Sequence, residues 1–197
     1  MNFGTMRLLY VVSCVVLCFV VLTPLLAVVV PLPQGERFSE VWVLGSNHMM
    51  GDYPFDVSEG TSYSVFLGVG NRMGSLQYYK FLVKFGNESD SQPDNVAGVP
   101  SVLSPVFEYD VFLGDNETWE RAVSFSFDGV SFNGDVARVS DVLINNYAIN
   151  VDKVVVRNET DNAFYYRLFF ELWIYNSAVS GFQFNDRWVG LWFNMTR

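Results

Sequence analysis

The sequence holds a single histidine, His48, and only two cysteines, Cys14 and Cys18. Each scarcity removes a class of chemistry. One histidine cannot build a His cluster for a metal or a proton relay. Both cysteines fall in an apolar N-terminal run, so neither is placed as a nucleophile and no disulfide staples the remainder. His48 sits in Gly45-Ser46-Asn47-His48-Met49-Met50, which lacks a G-x-S-x-G nucleophile elbow. A lone loop histidine of this kind is expected to be a plain surface residue. No D-x-D-x-D-G loop is present for calcium. We therefore expect no cofactor, no metal and no enzymatic activity. Two carboxylates meeting from distant strands are the one hydrolytic arrangement that sequence does not address.

Positive charge is also scarce. Lys and Arg number 12 against 21 Asp and Glu, a formal net charge of −9. That balance argues against nucleic acid or anionic lipid as a partner. It suits a soluble, self-repelling surface domain.

What is present divides sharply. No charged residue occurs from Leu8 to Gly35, and Leu8 to Val30 is almost wholly Leu, Val, Ala, Phe and Cys. As a helix this stretch is about 35 Å long, against a hydrocarbon core of about 30 Å. It reads as a transmembrane helix over 8–30, after a short cytoplasmic N-terminus over 1–7. Pro24 is tolerated in such a helix. The competing reading is a cleavable secretory signal. For that the apolar run is too long, and a cut after Ala27 places Leu25 at the −3 position, where a small residue is wanted.

Arg7 precedes the span, while Glu36 and Arg37 follow it and nearly cancel. This bias places the N-terminus in the cytoplasm and the remainder outside the cell membrane. Pro31 and Pro33 keep the 31–37 linker extended, and it reaches at most about 25 Å. The expected external domain covers 38–197. It contains four N-x-S/T sequons, at Asn87, Asn116, Asn158 and Asn194, where chance predicts roughly two. They are candidate N-glycosylation sites.

Beyond Arg37 no helical period persists and strand alternation takes over. In Thr118–Phe127, Trp119, Arg121, Val123, Phe125 and Phe127 alternate with Glu120, Ala122, Ser124 and Ser126. Tyr63–Gly70 and Gln77–Phe85 alternate in the same way. Further strands are expected at Phe38–Leu44, Pro105–Leu113, Val142–Ile149, Val151–Arg157, Phe164–Tyr175, Phe182–Phe184 and Arg187–Met195. Turn signals separate them, among them Asp128-Gly129, Asn133-Gly134 and Asn185-Asp186. The polar segment Gly86–Pro100 reads as the longest loop. The expected fold is all-β: an antiparallel, immunoglobulin-like β-sandwich preceded by one transmembrane α-helix. It lacks the immunoglobulin cysteine pair, so thirty aromatic residues must supply the core.

Two C-terminal strands carry the candidate surface. Phe164–Tyr175 has an ordinary apolar face and a second face with Tyr165, Arg167, Phe169, Glu171, Trp173 and Tyr175. On that face Arg167 and Glu171 are placed to pair with each other. In Arg187–Met195, Trp188, Gly190, Trp192 and Asn194 share a face. Tyr165, Trp173, Tyr175, Trp188 and Trp192 thus form a candidate platform for a protein partner or a glycan. The alternative is that strand twist or a covering loop buries these rings as a second small core.

The run Phe169-Phe170-Glu171-Leu172-Trp173-Ile174-Tyr175-Asn176, then Phe182-Gln183-Phe184 and Arg187-Trp188-Val189-Gly190-Leu191-Trp192-Phe193-Asn194-Met195-Thr196, resembles the end of the archaeal family called domain of unknown function 1616. Phe38-Ser39-Glu40-Val41-Trp42-Val43-Leu44-Gly45, Asp52-Tyr53-Pro54, Gly68-Val69-Gly70-Asn71 and Asn116-Glu117-Thr118-Trp119-Glu120 extend the likeness over nearly the whole external domain. The resemblance implies an archaeal, membrane-anchored protein with an extracytoplasmic β-domain, and it implies no reaction. Many members have several membrane helices, whereas this sequence has one. The expected function is a non-enzymatic cell-surface protein that mediates protein–protein interaction in the cell envelope. Carbohydrate binding through exposed aromatics is the alternative, and a surface glycan hydrolase a remote one.

Overall fold

A computed structural model describes residues 3–29 and 35–197, with backbone alone over 24–29. Residue 30 of the expected span and residues 31–34 of the expected linker lie outside the described residues, as do residues 1 and 2. The chain forms two compact units, Met1–Arg37 and Phe38–Arg197.

The first unit carries one helix, α1 (Phe3–Val29). It starts earlier than the expected span and includes Arg7. Its described side chains are exposed all round, and its stretch Phe3–Thr23 is long and apolar enough to cross a membrane. Two hydroxyls within it are satisfied by the helix itself: Ser13 donates to the Tyr10 carbonyl at 2.9 Å and Thr23 to that of Phe19 at 2.6 Å. Polar groups closed in this way fit an environment without water.

The second unit is a β-sandwich of ten strands: β1 (Phe38–Leu44), β2 (Asp56–Val57), β3 (Tyr63–Arg72), β4 (Gln77–Asn87), β5 (Phe107–Leu113), β6 (Thr118–Asn133), β7 (Val136–Ile144), β8 (Tyr147–Val156), β9 (Tyr165–Asn176) and β10 (Gly181–Met195). One sheet has the order β1-β3-β6-β7-β8 and the other β2-β10-β9-β4-β5. All pairs are antiparallel except β2, which lies parallel to β10. The fold is thus the expected immunoglobulin-like sandwich with one parallel edge.

The alternation of apolar residues sets the core. Val65, Leu67 and Val69 of β3 and Val123, Phe125 and Phe127 of β6 face Tyr79, Phe81, Val83 and Phe85 of β4 and Tyr166, Leu168, Phe170 and Leu172 of β9. Ring contacts hold the two layers, such as Phe85 against Phe127 at 5.7 Å and Phe125 against Phe193 at 5.2 Å. Such pairs add to area burial and serve where no disulfide does. Asn71 is fully buried, yet its amide donates to the carbonyls of Ser75, Leu113 and Gly114, tying β3 to the β5–β6 turn.

Three turns differ from expectation. The turn expected at Asp128-Gly129 is a kink inside β6, where Gly129 takes φ +64° and the strand continues. Asn185-Asp186 is likewise a bulge within β10, with the register shifting between Phe184 and Arg187. Conversely, the expected strand Val142–Ile149 is broken by a hairpin at Asn145-Asn146, both with positive φ. Asparagine tolerates that conformation without glycine.

Between β4 and β5, residues 88–106 cross the outer face of the second sheet as a partial third layer. This is the long loop expected over Gly86–Pro100, and it positions the site.

Candidate functional site

The outer face of β9 is where the loop docks. Glu171 is fully buried and accepts from the Ser101 amide at 2.7 Å, from Trp173 Nε1 at 3.1 Å and from Lys84 Nζ at 2.9 Å. Lys84, 3% exposed, also donates to the Ser101 carbonyl at 2.6 Å. The expected Arg167–Glu171 pairing is therefore replaced. Lys84 of the neighbouring strand β4 takes the glutamate, because cross-strand neighbours lie closer than residues four apart along one strand. Arg167 turns instead to the loop and donates through Nη2 to the Asp90 carbonyl. Its guanidinium lies over the Trp192 ring at 5.0 Å and the Phe169 ring at 5.6 Å. Burial pushes Arg167 below its ordinary pKa, and Asp90 works partly against that. Among the described residues its Nε has no hydrogen-bond partner.

Next to Arg167 the third layer stops short and leaves a cavity of about 320 Å³. Phe169, Trp188, Gly190 and Trp192 form much of its wall, with Gln92 from the loop and Tyr53 from the β1–β2 connection. Trp188 meets Phe169 edge-on at 6.1 Å. Gly190 stands between the two indoles. A Cβ there would lie 3.1 Å from both Phe169 Cβ and Trp188 Cζ3. Tyr53 donates its hydroxyl to the Val43 carbonyl at 2.9 Å, which fixes the far wall.

The structure separates the five aromatic candidates into groups. Trp188 and Trp192 line the cavity, and Tyr165 meets Trp192 edge-on at 6.3 Å with its hydroxyl on Asp161. Tyr165 and Trp192 also line a shallower hollow with Phe55, Glu88 and Asn158. Trp173 is half-buried and committed to Glu171. Tyr175 lies with Tyr78 and Phe182 at the other end of the sheet. The covering loop thus buries part of this face and leaves part open. Sequence reasoning missed the roles of Phe169, Gln92 and Tyr53. It also missed Lys84, whose signal was a lysine on the outer face of a strand otherwise rich in aromatics.

The sequons differ in availability. Asn194 donates to Asp56 at 2.8 Å and accepts from the Phe164 amide, joining β2, β9 and β10. Asn87 donates to the Val154 carbonyl and caps the turn at Ser89 and Asp90. Asn158 organises its own turn through Thr160 and Asp161. Asn116 is exposed at the tip of the β5–β6 turn, its side chain donating to the adjacent Asp115.

Elsewhere, His48 is exposed, stacks on Phe66 at 3.5 Å and bonds Glu120 at 3.0 Å. A polar hollow of about 620 Å³ contains Glu108 and Asp110. Both acids share Lys80, at 2.8 and 3.7 Å. Among the described residues, no three His, Cys, Asp or Glu side chains gather as a metal site.

The family described as domain of unknown function (DUF1616) matches residues 32–173, and the chain belongs to it. The match ends within β9, short of Trp188 and Trp192. No curated protein matches. Among solved structures, a β-glucosidase from Listeria innocua in complex with glucose aligns at 9% identity and a TM-score of 0.43, covering 82% of this chain and 16% of that one. The same enzyme with gluconolactone aligns at 11% identity and a TM-score of 0.41, covering 83% and 17%. The chain spans about one-sixth of that enzyme's length, and at this level of likeness its activity says nothing of the present chain.

Proposed function

We propose that this chain is a non-enzymatic cell-surface protein. Helix α1 holds it in the cell membrane with the N-terminus in the cytoplasm, and the sandwich outside mediates protein–protein interaction in the cell envelope. The carrying observation is the cavity at Trp188 and Trp192, an aromatic, arginine-bearing hollow of the kind that receives an anchor residue at interfaces. The absence of disulfides and the acidic surface fit a domain that stays soluble until a specific partner docks.

Two measurements test this. A C-terminal epitope tag digested by protease on intact cells supports the external placement, and protection until permeabilisation refutes it. A photo-crosslinking residue at position 192, compared with one at Val154 on the other sheet, reports the surface in use. Protein adducts from position 192 alone support the reading, and adducts from neither position refute it.

A second reading is carbohydrate binding. It is favoured by the Trp192 indole, 41% exposed and separated from Trp188 only by Gly190, since exposed rings on a sheet stack on sugars. Quenching of tryptophan fluorescence by envelope glycans, lost in Trp192→Ala, would favour it over the first.

A further inference from the structure

The cavity beside Arg167 has two properties that select its occupant. Its walls are largely aromatic, with Phe169, Trp188 and Trp192 around the backbone of Gly190. Its one charged residue is Arg167, 3% exposed and with an unpartnered Nε. The neighbouring charges are already matched: Lys84 with Glu171 at 2.9 Å, and Lys153 with Asp90 at 3.0 Å. Arg167 reaches Asp90 only through the carbonyl oxygen. Among the described residues this buried cation pairs with no carboxylate, Asp90 acting on it only from a distance while bonded to Lys153, an arrangement that favours an incoming anion.

Resting on the partner-binding role above, we infer that this cavity receives the apolar C-terminal residue of a partner polypeptide, its side chain against Trp188 and Trp192 and its α-carboxylate on Arg167. The competing ligands fit less well. A sugar presents several hydroxyls, whereas the polar lining beyond Arg167 is Gln92 and Tyr53, and the Tyr53 hydroxyl already serves Val43. Hydroxyls left unpaired at a partly buried site weaken binding. An internal Asp or Glu brings a carboxylate with no apolar body. A C-terminal Leu or Phe brings both, attached to the one Cα. The volume of about 320 Å³ lies at the small end of ligand pockets, roughly 300–1,000 Å³, enough for one residue. The net charge of −9 repels acidic chains at a distance, so the partner's terminal carboxylate should follow a neutral or basic segment.

The test uses the full chain in lipid nanodiscs and fluorescence anisotropy. The probes are dye-labelled Gly-Ser-Gly-Ser-Xaa peptides with every standard last residue, each as the free acid and as the C-terminal amide. Binding should concentrate in apolar Xaa, with the acid about ten-fold or more tighter than the amide. Arg167→Gln should erase the acid–amide difference, Arg167→Lys should keep part of it, and Trp192→Ala should weaken both forms. Thermal unfolding monitors each variant, and the acid–amide comparison on the unaltered chain decides the matter if Arg167→Gln does not fold. Equal binding of acid and amide, or no preference for apolar Xaa, overturns the inference. So does displacement of the probe by digalacturonic acid with no peptide preference, which reassigns the cavity to an acidic sugar. Phenylacetate matching the best peptide overturns it too, as a free-acid site. No peptide binding, together with protein adducts at position 192 in cells, removes this inference and leaves the partner-binding role standing.

Discussion

Replacing Lys84 with Met tests whether the third layer is held by the ion pair beneath it. Met has a similar stem but no charge, so the change strands Glu171, which is fully buried. Lys84 and Glu171 are 3% and 0% exposed, so solvent screens neither. Breaking a buried pair by removing one partner costs about 3–5 kcal/mol. Against the roughly 5–15 kcal/mol stability of an ordinary domain, that is a large fraction. In a chain of this size it lowers Tm by about 10 °C. The assay is urea unfolding of the full chain in detergent, followed by tryptophan fluorescence, with Arg138→Met as the comparison. Arg138 and Asp152 are 52% and 51% exposed, and removing such a pair costs under about 1 kcal/mol. Limited proteolysis supplies a local readout, because Lys84 also holds the Ser101 carbonyl. In Lys84→Met, residues 88–106 should be cut at protease levels that leave the parent intact. If Lys84→Met costs no more than Arg138→Met, the reasoning fails.

Three other outcomes follow from the same geometry. Burial raises the pKa of Tyr79, Tyr109 and Tyr166 above the ordinary phenol value of 10.0. The unfolded chain therefore loses these protons first, so their contribution is whole below pH 10 and declines as pH rises through the folded values. Tyrosinate absorbance should lack these three phenols until alkaline unfolding begins, and smooth titration of every tyrosine before unfolding would contradict this. In Gly68→Ala the new Cβ would lie 2.1 Å from Trp42 Cε2, displacing the indole and its bond to Glu120. The expected cost is about 1–3 kcal/mol with red-shifted fluorescence, and an unchanged spectrum refutes it. Of the four sequons, Asn116 should carry the readily lost modification: Asn116→Gln should remove one glycan's mass in a glycosylating host. Loss of mass in Asn194→Gln alone would reverse that order.

Much of the fold could be read from alternation. β1 begins and ends where Phe38–Leu44 does, and the inward faces of β3, β4, β6 and β9 are those whose apolar residues recur at every second position. Errors gathered where one local signal has two outcomes. A positive φ at Gly129 or Asp186 makes a turn if the strand ends and a bulge if it continues, and only cross-strand partners decide. The reverse error, at Asn145-Asn146, arose because the pair interrupts an apolar run without glycine. The site was half legible. Trp188 and Trp192 were visible as a pair on one face, but their exposure depends on where residues 88–106 end, a tertiary fact. The true partner of Glu171 was hidden for the same reason, since β4 and β9 are neighbours in space and distant in sequence.

The polar cluster under the loop bears on why the cavity has its shape. Burying Lys84 and Glu171 is not the most stabilising choice, because well-packed apolar residues of similar volume do as well or better. What the pair adds is direction. Glu171 accepts the Ser101 amide and Lys84 donates to the Ser101 carbonyl, so one residue of the loop is gripped at both of its backbone polar groups. An apolar strip would hold the loop with equal strength and let it slide, and sliding would open or close the cavity lined by Gln92. The double variant Lys84→Met/Glu171→Leu separates these effects. Its global stability should fall by less than that of Lys84→Met alone, while binding at the Trp188–Trp192 cavity weakens as the loop loses its fixed position. Parental binding in that double variant would show that the ion pair serves no positioning role, and the shape of the cavity would then be set by the rings and Gly190 alone.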